Sequence, residues 1–462
     1  MLLKNSTHVL KIESVTGDGQ GISRVDGQVV FVPYAALGDE VEVVIIKTTK
    51  SYAVGKIINL LTPSPCRTDV DCKSFLKCGG CAFRHITLEE ELRIKTQSVK
   101  DALERLGGIK VRVDDCISTP VITYRNKAQL PVTQGAKGIL CGFFAPHSHR
   151  IVDGTIDCLN TPEIFSHIAK ETVRFMEENS VDAYLEESGK GTVRHLYMRE
   201  NKKGEVMLCL VVNCDVLKNE KTELKYVSFI VDKFPKIKSV YLNVNKNKTN
   251  AVLGDGFKLL YGDNSFEDEI LSVRLSMSPD SFFQVNREGA ETVYKTAFSL
   301  LPEKTFENVY DLYCGVGSIG LSLFSEIKRG NLNVSAKRLF GIEIVKDAVK
   351  WAKHNAAQNG IDNAQFFASD SADITEMELF DKYPPSLVIL DPPRKGVEEK
   401  LLKYLADKGV KDILYISCNP ATLARDMSYL YSRGYTSERV VPVNMFSRTG
   451  HVESVTLLTL SN

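Results

Sequence analysis

The sequence predicts an α/β protein with a parallel, doubly wound sheet at the C-terminus, a small β-barrel at the N-terminus and an α+β region between them. From about residue 292, strand-like apolar segments alternate with helical segments, which indicates a parallel sheet with helices on both faces. Residues 1 to about 61 contain short segments with period-two hydrophobicity, interrupted by glycine and aspartate. That pattern is typical of a small β-barrel, with an edge sheet of a larger domain as the alternative.

The composition limits the class of protein and its partners. The chain has 462 residues, 43% of them hydrophobic and 25% charged, and its formal net charge is zero. A nucleic-acid-binding surface must therefore be a local patch, because the chain as a whole has no positive charge excess. No apolar run approaches the roughly 18 residues that a membrane span needs. The N-terminus lacks a signal-peptide pattern, so we expect a cytoplasmic protein that does not contact membranes.

The segment between the barrel and the C-terminal sheet begins with the linker-like sequence TPSP at positions 62–65. Residues 88–107 have the charge pattern of a helix that ends at a Gly–Gly pair. We expect this helix to pack on the C-terminal domain. Strand-like and helical segments then mix up to about residue 275. The predicted domains are therefore 1–61, 62–275 and 276–462.

The first strands of the predicted sheet end in residues that suit a nucleotide-like ligand, since such sheets bind ligands at the carboxyl ends of their strands. DLYCGVGSIG contains a G-x-G-x-x-G pattern, with Gly315 and Gly317, that lets a ligand approach the backbone. Enzymes that bind nicotinamide, flavin or S-adenosylmethionine all use such turns. Glu343 ends the second strand and suits a ribose diol, with a solvated strand end as the alternative. Asp370 ends the third and suits an adenine amino group, with a helix N-cap as the alternative.

The fourth strand ends in ILDPPRKG, which places Asp391 before two rigid prolines. Base-modifying methyltransferases carry an acid followed by proline at this place, and the acid holds the planar edge of the target base. Enzymes that act on exocyclic amino groups usually carry an aromatic residue after the prolines, whereas this chain has Arg394. The pattern therefore favours a ring carbon as the target.

The fifth strand ends in YISCNPATLARD and delivers Cys418. A thiolate that adds to carbon 6 of uracil turns carbon 5 into a good nucleophile, and cysteine suits such covalent catalysis. A buried cysteine that only packs as a small apolar residue is the alternative. The mechanism also needs a base for the proton on carbon 5. Glu453, in GHVESV, is the candidate, and His451 is its rival.

The segment CKSFLKCGGC places Cys72, Cys78 and Cys81 close together in sequence. Because a cytoplasmic protein keeps its thiols reduced, this spacing favours a metal over disulfides. Zinc would take Cys66 as a local fourth ligand, whereas an iron–sulfur cluster would fit a remote one such as Cys158. The sequence therefore predicts a metal centre and leaves its kind open.

These motifs together resemble the RNA (uracil-5-)-methyltransferase family, of the ribosomal-RNA type. DLYCGVGSIG, ILDPPRKG, SCNPATLARD and HVES look like its successive motifs, as do SPDSFFQVN and YRNKAQLPV upstream. The similarity extends over essentially the whole chain. The resemblance implies a Rossmann-like class I methyltransferase domain at the C-terminus, an OB-like, RNA-binding TRAM barrel at the N-terminus and a central α+β domain that carries a 4Fe–4S cluster.

Carried over residue by residue, the resemblance implies Cys418 as nucleophile, Glu453 as base and Asp391 at the catalytic centre. It implies contacts to S-adenosylmethionine from Gln284, Tyr313, Gly315, Gly317, Glu343, Asp370 and Asp391. It implies a cluster held by Cys72, Cys78, Cys81 and Cys158. Cys66 is then an extra thiol. Where the family often carries asparagine after the glycine turn, this chain has Ser318.

The predicted activity is S-adenosylmethionine-dependent methylation of uridine carbon 5 in structured RNA, preferably 23S ribosomal RNA, by a monomer that needs no protein partner. Four alternatives remain: the T-loop uridine of transfer RNA, cytosine carbon 5, a non-catalytic RNA-binding or assembly factor, and an iron–sulfur redox enzyme. Phe282 and Phe283, beside Gln284, are candidates to pack against an extruded base. Candidates to bind phosphates and stack unpaired bases are Tyr124, Arg125, Lys127, Lys137, Phe143, Phe144 and Arg150.

Overall fold

The computed structural model describes residues 2–461, except for the side chains of Thr375 and Glu376. It contains two six-stranded sheets, a two-stranded sheet and a nine-stranded sheet. The predicted α/β organisation, with a β-rich N-terminus and a doubly wound C-terminal sheet, is confirmed. Each helix within residues 2–461 is too short or too polar to cross a membrane.

The N-terminal sheet has the strand order β1-β5-β6-β4-β3-β2. Its strands are β1 (Thr7–Lys11), β2 (Ser14–Val15), β3 (Gln20–Val25), β4 (Gln28–Pro33), β5 (Glu40–Thr48) and β6 (Tyr52–Thr62). Alternate side chains, among them Val30, Val32, Val41 and Val43, are completely buried. The period-two hydrophobicity of the sequence thus corresponds to one face that packs inward and one that faces out.

Buried Asp39 ties the N-terminal sheet to the segment that follows it. Arg67 donates to its carboxylate at 2.7 Å, and the backbone N–H groups of Ala36 and Ser64 donate at 2.6 and 2.9 Å. Burial alone would raise the pKa of Asp39. The hydrogen bonds and the charge of Arg67 outweigh it and hold the pKa below its ordinary value. The start of the central region is therefore fixed against the barrel.

Helix α1 (Leu88–Asp101) begins at Thr87, whose hydroxyl oxygen accepts from the Glu90 N–H. It continues into a π-helical turn over Ala102–Leu106, and the short strand β7 (Arg112–Val113) follows. The apolar face of the helix, including completely buried Val99, packs into the core of the C-terminal sheet. The helix over 88–107 therefore lies on the C-terminal domain.

Lys95 on α1 belongs to a buried polar network that reaches the C-terminal part of the chain. Its ammonium group donates to Asn444 Oδ1 at 2.6 Å and to the Phe446 backbone oxygen at 3.1 Å, and it lies 3.1 Å from the Glu91 carboxylate. Glu91 also accepts from the Arg448 N–H at 2.8 Å. Burial lowers the pKa of Lys95, and Glu91 opposes that shift. The pair holds the loop around residues 444–448 against α1.

The central sheet has the order β13-β12-β11-β10-β8-β9. One face packs on two helices. The other face, through Tyr197, Cys209 and Tyr241, joins a core shared with the C-terminal sheet. The elements are β8 (Lys127–Gly135), β9 (Gly138–Cys141), α2 (Glu163–Glu178), β10 (Val193–Glu200), β11 (Val206–Val212), α3 (Glu220–Lys233), β12 (Ile237–Val244) and β13 (Gly256–Gly262).

A hairpin of β14 (Phe266–Ile270) and β15 (Val273–Met277) leads from the central sheet into the C-terminal domain. Its buried apolar side chains belong to the core shared with the C-terminal sheet. The Ser276 N–H donates to Asn355 Oδ1 at 2.8 Å. The predicted boundary at residues 275–276 thus falls inside a hairpin that packs with the C-terminal helices.

The C-terminal sheet has the order β18-β17-β16-β19-β20-β23-β22-β7, with β21 paired to β23. The five strands from β18 to β20 in this order are parallel, and β23 runs antiparallel to β20. The elements are α4 (Arg287–Ser299), β16 (Thr305–Leu312), α5 (Ser318–Lys328), β17 (Ser335–Glu343), α6 (Lys346–Gln358), β18 (Ala364–Ala368), α7 (Leu379–Lys382), β19 (Leu387–Leu390), α8 (Glu399–Asp407), β20 (Asp412–Ser417), α9 (Pro420–Ser432), β21 (Tyr435–Thr436), β22 (Arg439–Val443) and β23 (Glu453–Leu460).

We expect Lys95→Met to lower the free energy of unfolding by roughly 3 kcal/mol, because the buried oxygens of Asn444 and Phe446 lose their donor and Glu91 keeps only the longer ion pair with Arg448, at 3.4 Å. Urea unfolding followed by circular dichroism measures the change. Arg105→Met is the control, since the Arg105 side chain, in the π-helical turn after α1, is 76% exposed and should contribute within about 0.5 kcal/mol. Equally small effects of both substitutions would contradict the role assigned to Lys95.

Candidate active site

The carboxyl ends of β16, β17, β19 and β20 and the start of β23 surround a cavity of about 480 Å³. The cavity brings together most of the predicted catalytic and cofactor-binding residues, because parallel strands end at one edge of the sheet. The predicted residues that line it are Gln284, Tyr313, Gly315, Glu343, Asp391, Cys418 and Glu453. Gly317 and Asp370 are not part of the described lining.

The turn after β16 is shaped by positive backbone angles. The φ values of Tyr313, Gly315 and Gly317 are 69°, 56° and 88°, and Gly317 is the N-cap of α5. The space where a side chain of Gly315 would stand is open. A ligand can therefore approach the backbone N–H groups at the start of α5.

The carboxylate of Glu343 joins this turn to the next one. It accepts from the Gly315 N–H at 3.1 Å and from the Val345 N–H at 2.8 Å, so its orientation is fixed before any ligand binds. The apolar side chains that follow, Ile344 and Val345, are 63% and 54% exposed. A fixed carboxylate beside exposed apolar side chains fits a nucleoside, which has a polar diol and a flat ring.

Asp370 begins the turn over Ser371–Glu376 as its N-cap. Its Oδ1 accepts from the Ala372 N–H at 2.9 Å. This is the structural role that the sequence left as the alternative to adenine binding. A contact from Asp370 to an adenine stays a prediction.

Cys418, Asp391 and Glu453 share the cavity, and their charges act on one another. Burial raises the pKa of Asp391 to about 7. Burial, reinforced by Asp391, raises the pKa of Glu453 to about 8, although Arg394 opposes the shift. The pKa of the Cys418 thiol rises to about 11 through burial, Glu453 and Asp391, again against Arg394. The charge of the site therefore changes with pH around neutrality.

Arg394 is the cation that offsets these acids, and it is paired with His451. Arg394 Nη2 lies 3.2 Å from His451 Nε2. Burial, followed by the charge of Arg394, lowers the pKa of His451, so the imidazole is neutral at neutral pH. A neutral imidazole can accept a hydrogen bond from Arg394 through Nε2. His451 is therefore engaged with the guanidinium rather than free to act as a base.

Side chains at the start of α9 hold the loop that carries Arg394. Asn419 Nδ2 donates to the Arg394 backbone oxygen at 3.1 Å. Arg425, two turns further along the helix, donates to the backbone oxygens of Lys395 and Val397 at 3.0 and 3.1 Å. The segments ILDPPRKG and SCNPATLARD are therefore bound to each other, and the helix that follows Cys418 also positions the arginine beside it.

Asp426 is the buried centre of this contact, and the sequence analysis gave it no role. It is 1% exposed and accepts from the Val397 N–H at 2.8 Å, the Tyr415 hydroxyl at 2.7 Å and Arg425 Nε at 2.8 Å. Asn419 and Asp426 are seven residues apart, which places them on one face of a helix. In the sequence, that spacing is the signal that predicts a polar face of the helix in contact with another segment of the chain.

Tyr294 on α4 lines the cavity and is the second residue to which the sequence assigned no role. It is 1% exposed, and its hydroxyl lies 3.0 Å from Ser318 Oγ. In the sequence it stands among apolar helical positions, which predicts only core packing. Its polar contact with Ser318 joins two helices, so no local sequence pattern predicts this contact.

The thiols of the predicted metal centre face a second cavity, of about 220 Å³. It is lined by Cys72, Cys78, Cys81 and Cys158, whereas Cys66 is not in its lining. All eleven cysteines are free thiols, and Asn160 Nδ2 lies 3.5 Å from Cys81 Sγ. Within residues 2–461, no group of three or more His, Cys, Asp and Glu side chains is arranged to hold a metal ion. The four thiols thus share one cavity.

The doubly wound sheet, the glycine turn and the fixed carboxylate of Glu343 define the class as an α/β protein that binds a nucleoside-containing cofactor at the carboxyl ends of its strands. A family model described as tRNA (Uracil-5-)-methyltransferase matches residues 265–461, and the TRAM domain model matches residues 3–58. A Clostridium tetani protein named as an uncharacterized RNA methyltransferase is 40% identical, over 99% of this chain and 97% of that protein. A similarly named protein of Halalkalibacterium halodurans is 36% identical, over 99% and 98%.

A solved structure agrees with these relatives. The crystal structure of Pyrococcus abyssi tRNA (uracil-54, C5)-methyltransferase, in complex with S-adenosyl-L-homocysteine, matches 98% of this chain and 100% of that chain. The TM-score is 0.76 and the sequence identity 26%. The chain therefore belongs to the RNA (uracil-5-)-methyltransferase family, as the resemblance of its motifs indicated. Its substrate class is RNA, its methyl donor is S-adenosylmethionine and its N-terminal domain is a TRAM domain.

Glu453 makes stability depend on pH. Its pKa rises from an ordinary value of 4.5 to about 8 in the folded chain. The folded chain thus binds this proton more tightly than the unfolded chain, and stability falls as pH rises from 4.5 to 8. At about pH 9, we expect the free energy of unfolding of the Glu453→Gln variant to be roughly 2–4 kcal/mol higher than that of the wild type. Below about pH 4, the difference between the two proteins should vanish.

Urea unfolding at the two pH values measures this difference. Glu187→Gln is the control, because Glu187 is an exposed residue outside the cavity, and its substitution should change stability little at either pH. A stability difference for Glu453→Gln that does not vary with pH would contradict the buried, proton-binding state of this carboxyl group.

Proposed function

We propose that the protein methylates carbon 5 of a uridine in 23S ribosomal RNA through a covalent bond between Cys418 and carbon 6 of the base. One observation supports this most. Cys418, Asp391 and Glu453, at the ends of three different strands, line the same cavity as the glycine turn. A nucleophilic thiol, a base and an acid that holds the ring are the groups that methylation at this carbon requires.

Cys418 is the proposed nucleophile. Its sulfur bonds to carbon 6, and the electron pair of the C5–C6 double bond becomes available at carbon 5. S-adenosylmethionine, when bound, would supply the electrophilic methyl group that carbon 5 takes, and would leave as S-adenosylhomocysteine once its methyl–sulfur bond is broken. Burial, Glu453 and Asp391 raise the pKa of Cys418, and Arg394 lowers it, so the guanidinium favours the thiolate that attacks.

Glu453 is the proposed base. It takes the proton from carbon 5, the double bond forms again and the bond between carbon 6 and Cys418 breaks, which restores the thiolate. A carboxyl group with a pKa of about 8 can hold this proton and release it near neutral pH in each cycle. The contact of His451 with Arg394 supports Glu453 over its rival.

Asp391 is proposed to hold the edge of the uracil ring. The N3–H group of uracil can donate to an ionised carboxylate, whereas N3 of cytosine carries no hydrogen. With a pKa of about 7, Asp391 needs little further stabilisation to ionise, and a ring N–H donor supplies it. This chemistry favours uracil over cytosine.

The proposed contacts to S-adenosylmethionine follow the cavity from one end to the other. Glu343 holds the ribose diol with a carboxylate that Gly315 and Val345 already orient. The turn at Gly315 and Gly317 receives the methionine part near the start of α5. Further proposed contacts come from Gln284, Tyr313, Asp370 and Asp391.

The choice of RNA rests on the resemblance to the ribosomal-RNA type. The T-loop uridine of transfer RNA is the second candidate, and the similarity to the Pyrococcus abyssi structure, whose name specifies uracil 54 of tRNA, favours it. Both RNAs present the same uracil to the cavity, so they differ in the shape that the surrounding surfaces read. The reaction proposed for Cys418 is the same in both cases.

We also propose that Cys72, Cys78, Cys81 and Cys158 hold a 4Fe–4S cluster with a structural role. Four cysteine thiolates are the ligands of a 4Fe–4S cluster, and these four thiols line one cavity of about 220 Å³. Cys66, which does not line that cavity, is not needed. The cluster would link the segment 72–81 to the remote Cys158.

A trapping experiment tests the proposed reaction. A 23S ribosomal RNA fragment that contains 5-fluorouridine should form, with S-adenosylmethionine, an adduct that survives a denaturing gel, because fluorine cannot leave carbon 5 as a proton does. Cys418→Ala should abolish the adduct. Cys214→Ala, which changes a half-buried thiol outside the cavity, should leave it unchanged.

A transfer-RNA T-arm with the same modified base is tested in parallel. An adduct that forms with the T-arm but not with the ribosomal RNA fragment would show that transfer RNA, and not ribosomal RNA, is the substrate. No adduct with either RNA, although both bind, would rule out the covalent mechanism and favour a binding or assembly factor.

The proposed cluster is tested on protein purified without oxygen. Iron and acid-labile sulfide should be present, with the broad visible absorption of thiolate-bound iron. Cys158→Ser should lose most of the iron, whereas Cys66→Ser should keep it. Zinc in place of iron, or iron that depends on Cys66 and not on Cys158, would show that the local zinc alternative is correct.

A further inference from the structure

Arg394 brings a positive charge into a cavity that also holds two acids. Among the side chains that the structure describes, its guanidinium forms no ion pair with a carboxylate, although Asp391 and Glu453 line the same cavity. A guanidinium and a carboxylate in direct contact normally form a short pair with two parallel hydrogen bonds. The cation and the two acids are therefore held apart.

His451 is the partner that the guanidinium has instead, and the chemistry of the two groups fixes the protonation state of the imidazole. His451 Nε2 lies 3.2 Å from Arg394 Nη2. A guanidinium only donates hydrogen bonds, so the ring nitrogen that faces it accepts, and Nδ1 carries the ring proton. A neutral imidazole thus satisfies one N–H of the arginine and leaves its positive charge intact.

Both sides of this contact lie on segments that other hydrogen bonds hold in place. Asn419 Nδ2 donates to the Arg394 backbone oxygen at 3.1 Å. On the other side, Thr449 Oγ1 donates to the Phe446 backbone oxygen at 2.7 Å, and the His451 N–H donates to Thr449 Oγ1 at 3.3 Å. The Phe446 ring also meets the imidazole edge-on, with ring centroids 6.1 Å apart. The two segments therefore bring the guanidinium and the imidazole together before any ligand binds.

The charges around the imidazole keep it in its neutral state. Burial first, and then three cations, lower the pKa of His451. The three cations are Arg394 beside it, Lys95 of α1 and Arg125 just before β8. Each of them disfavours a further positive charge on the ring. The imidazole therefore remains an acceptor for Arg394 at neutral pH.

Glu453 is the group that this separation protects. Its pKa of about 8 comes from burial and from the charge of Asp391, and Arg394 opposes the shift only in part. Direct ion pairing with Arg394 would remove much of the shift, because a cation in contact favours the ionised carboxylate. Glu453 would then lose the proton affinity that a base needs near neutral pH.

We propose that His451 is a positioning residue that holds the Arg394 guanidinium away from the carboxyl group of Glu453. The proposal rests on the role proposed for Glu453 as the base. Arg394 then acts on the Cys418 thiol as a cation without a carboxylate partner, and Glu453 stays free to take the proton from carbon 5. The histidine that the sequence offered as a rival base thus supports the base.

Titration of the Glu453 carboxyl group, in the full-length protein without RNA, tests the proposal. Carbon-13 NMR of protein labelled at the glutamate side-chain carboxyl carbon follows the titration, and Glu453→Gln identifies the signal. His451→Leu removes the acceptor, so Arg394 should pair with Glu453 and lower its pKa by about 1 or more. His451→Gln keeps an acceptor oxygen at similar reach and should leave the pKa near that of the wild type.

The activity of the same variants gives a second readout. A weaker base slows the removal of the proton from carbon 5, so His451→Leu should accumulate the methylated Cys418 adduct with RNA that contains ordinary uridine. A denaturing gel shows this adduct. The kcat of His451→Leu should fall roughly tenfold, whereas that of His451→Gln should stay within about threefold of the wild type.

His354→Leu is the matched control. His354 is an exposed residue of α6, outside the described lining of the cavity, and its ring also meets an aromatic ring edge-on, that of Trp351 at 5.6 Å. Its substitution should change neither the titration nor the amount of adduct. In the His451→Leu background, Arg394→Leu should raise the pKa of Glu453 again, since the cation that lowers it is then absent.

The two readouts separate the failure of this proposal from the failure of the proposed mechanism. An unchanged or raised pKa of Glu453 in folded His451→Leu would overturn the positioning role of His451, and so would a His451→Gln variant that behaves like His451→Leu. His451→Ala serves if the leucine variant does not fold. A lowered pKa without any accumulated adduct would support the positioning role and overturn Glu453 as the base.

Discussion

The charge balance inside the candidate active-site cavity is the constraint on which the arrangement of the surrounding loops and helices bears most directly. A thiol and two carboxyl groups share the cavity, and each anion raises the pKa of a neighbour. Arg394 is the one permanent cation in the described lining, so its place decides how readily Cys418 ionises. The side chains of Asn419, Arg425 and Asp426 fix the loop that carries it. Helix α9 therefore sets the place of the cation in this cavity as well as packing against the sheet.

The loop at residues 444–451, directly before Glu453, meets all three parts of the chain. Lys95 of α1 holds Asn444, and the Tyr124 hydroxyl of the central region donates to the Ser447 backbone oxygen at 2.9 Å. Gly450 lies so close to the TRAM barrel that a side chain there would meet the Asp18 Cα at 2.8 Å. The position of the proposed base, Glu453, therefore depends on contacts from all three parts of the chain. This is consistent with relatives that match the chain over nearly their full length.

The sequence predicted the residues at the strand ends because parallel strands deliver them to one edge of a sheet. Cys418, Asp391 and Glu343 converge for that reason. Contacts between helices and loops could not be predicted. Tyr294 and Ser318 are 24 residues apart, and no periodicity shows which helix face meets which turn. Spacing alone grouped three of the cysteines, but the remote Cys158 leaves no local pattern, so the sequence left it open beside Cys66 and only the family resemblance chose it.

Strand β7 has a consequence for how the protein can be divided. It comes from the segment after α1, yet it pairs in parallel with β22 and covers that edge of the C-terminal sheet. A fragment limited to residues 265–461, the part that the methyltransferase family model matches, lacks this cover. It would present unpaired N–H and C=O groups along β22, and such open edges recruit strands from other molecules. The catalytic domain is therefore not a transferable module, since cutting it free creates an aggregation-prone surface.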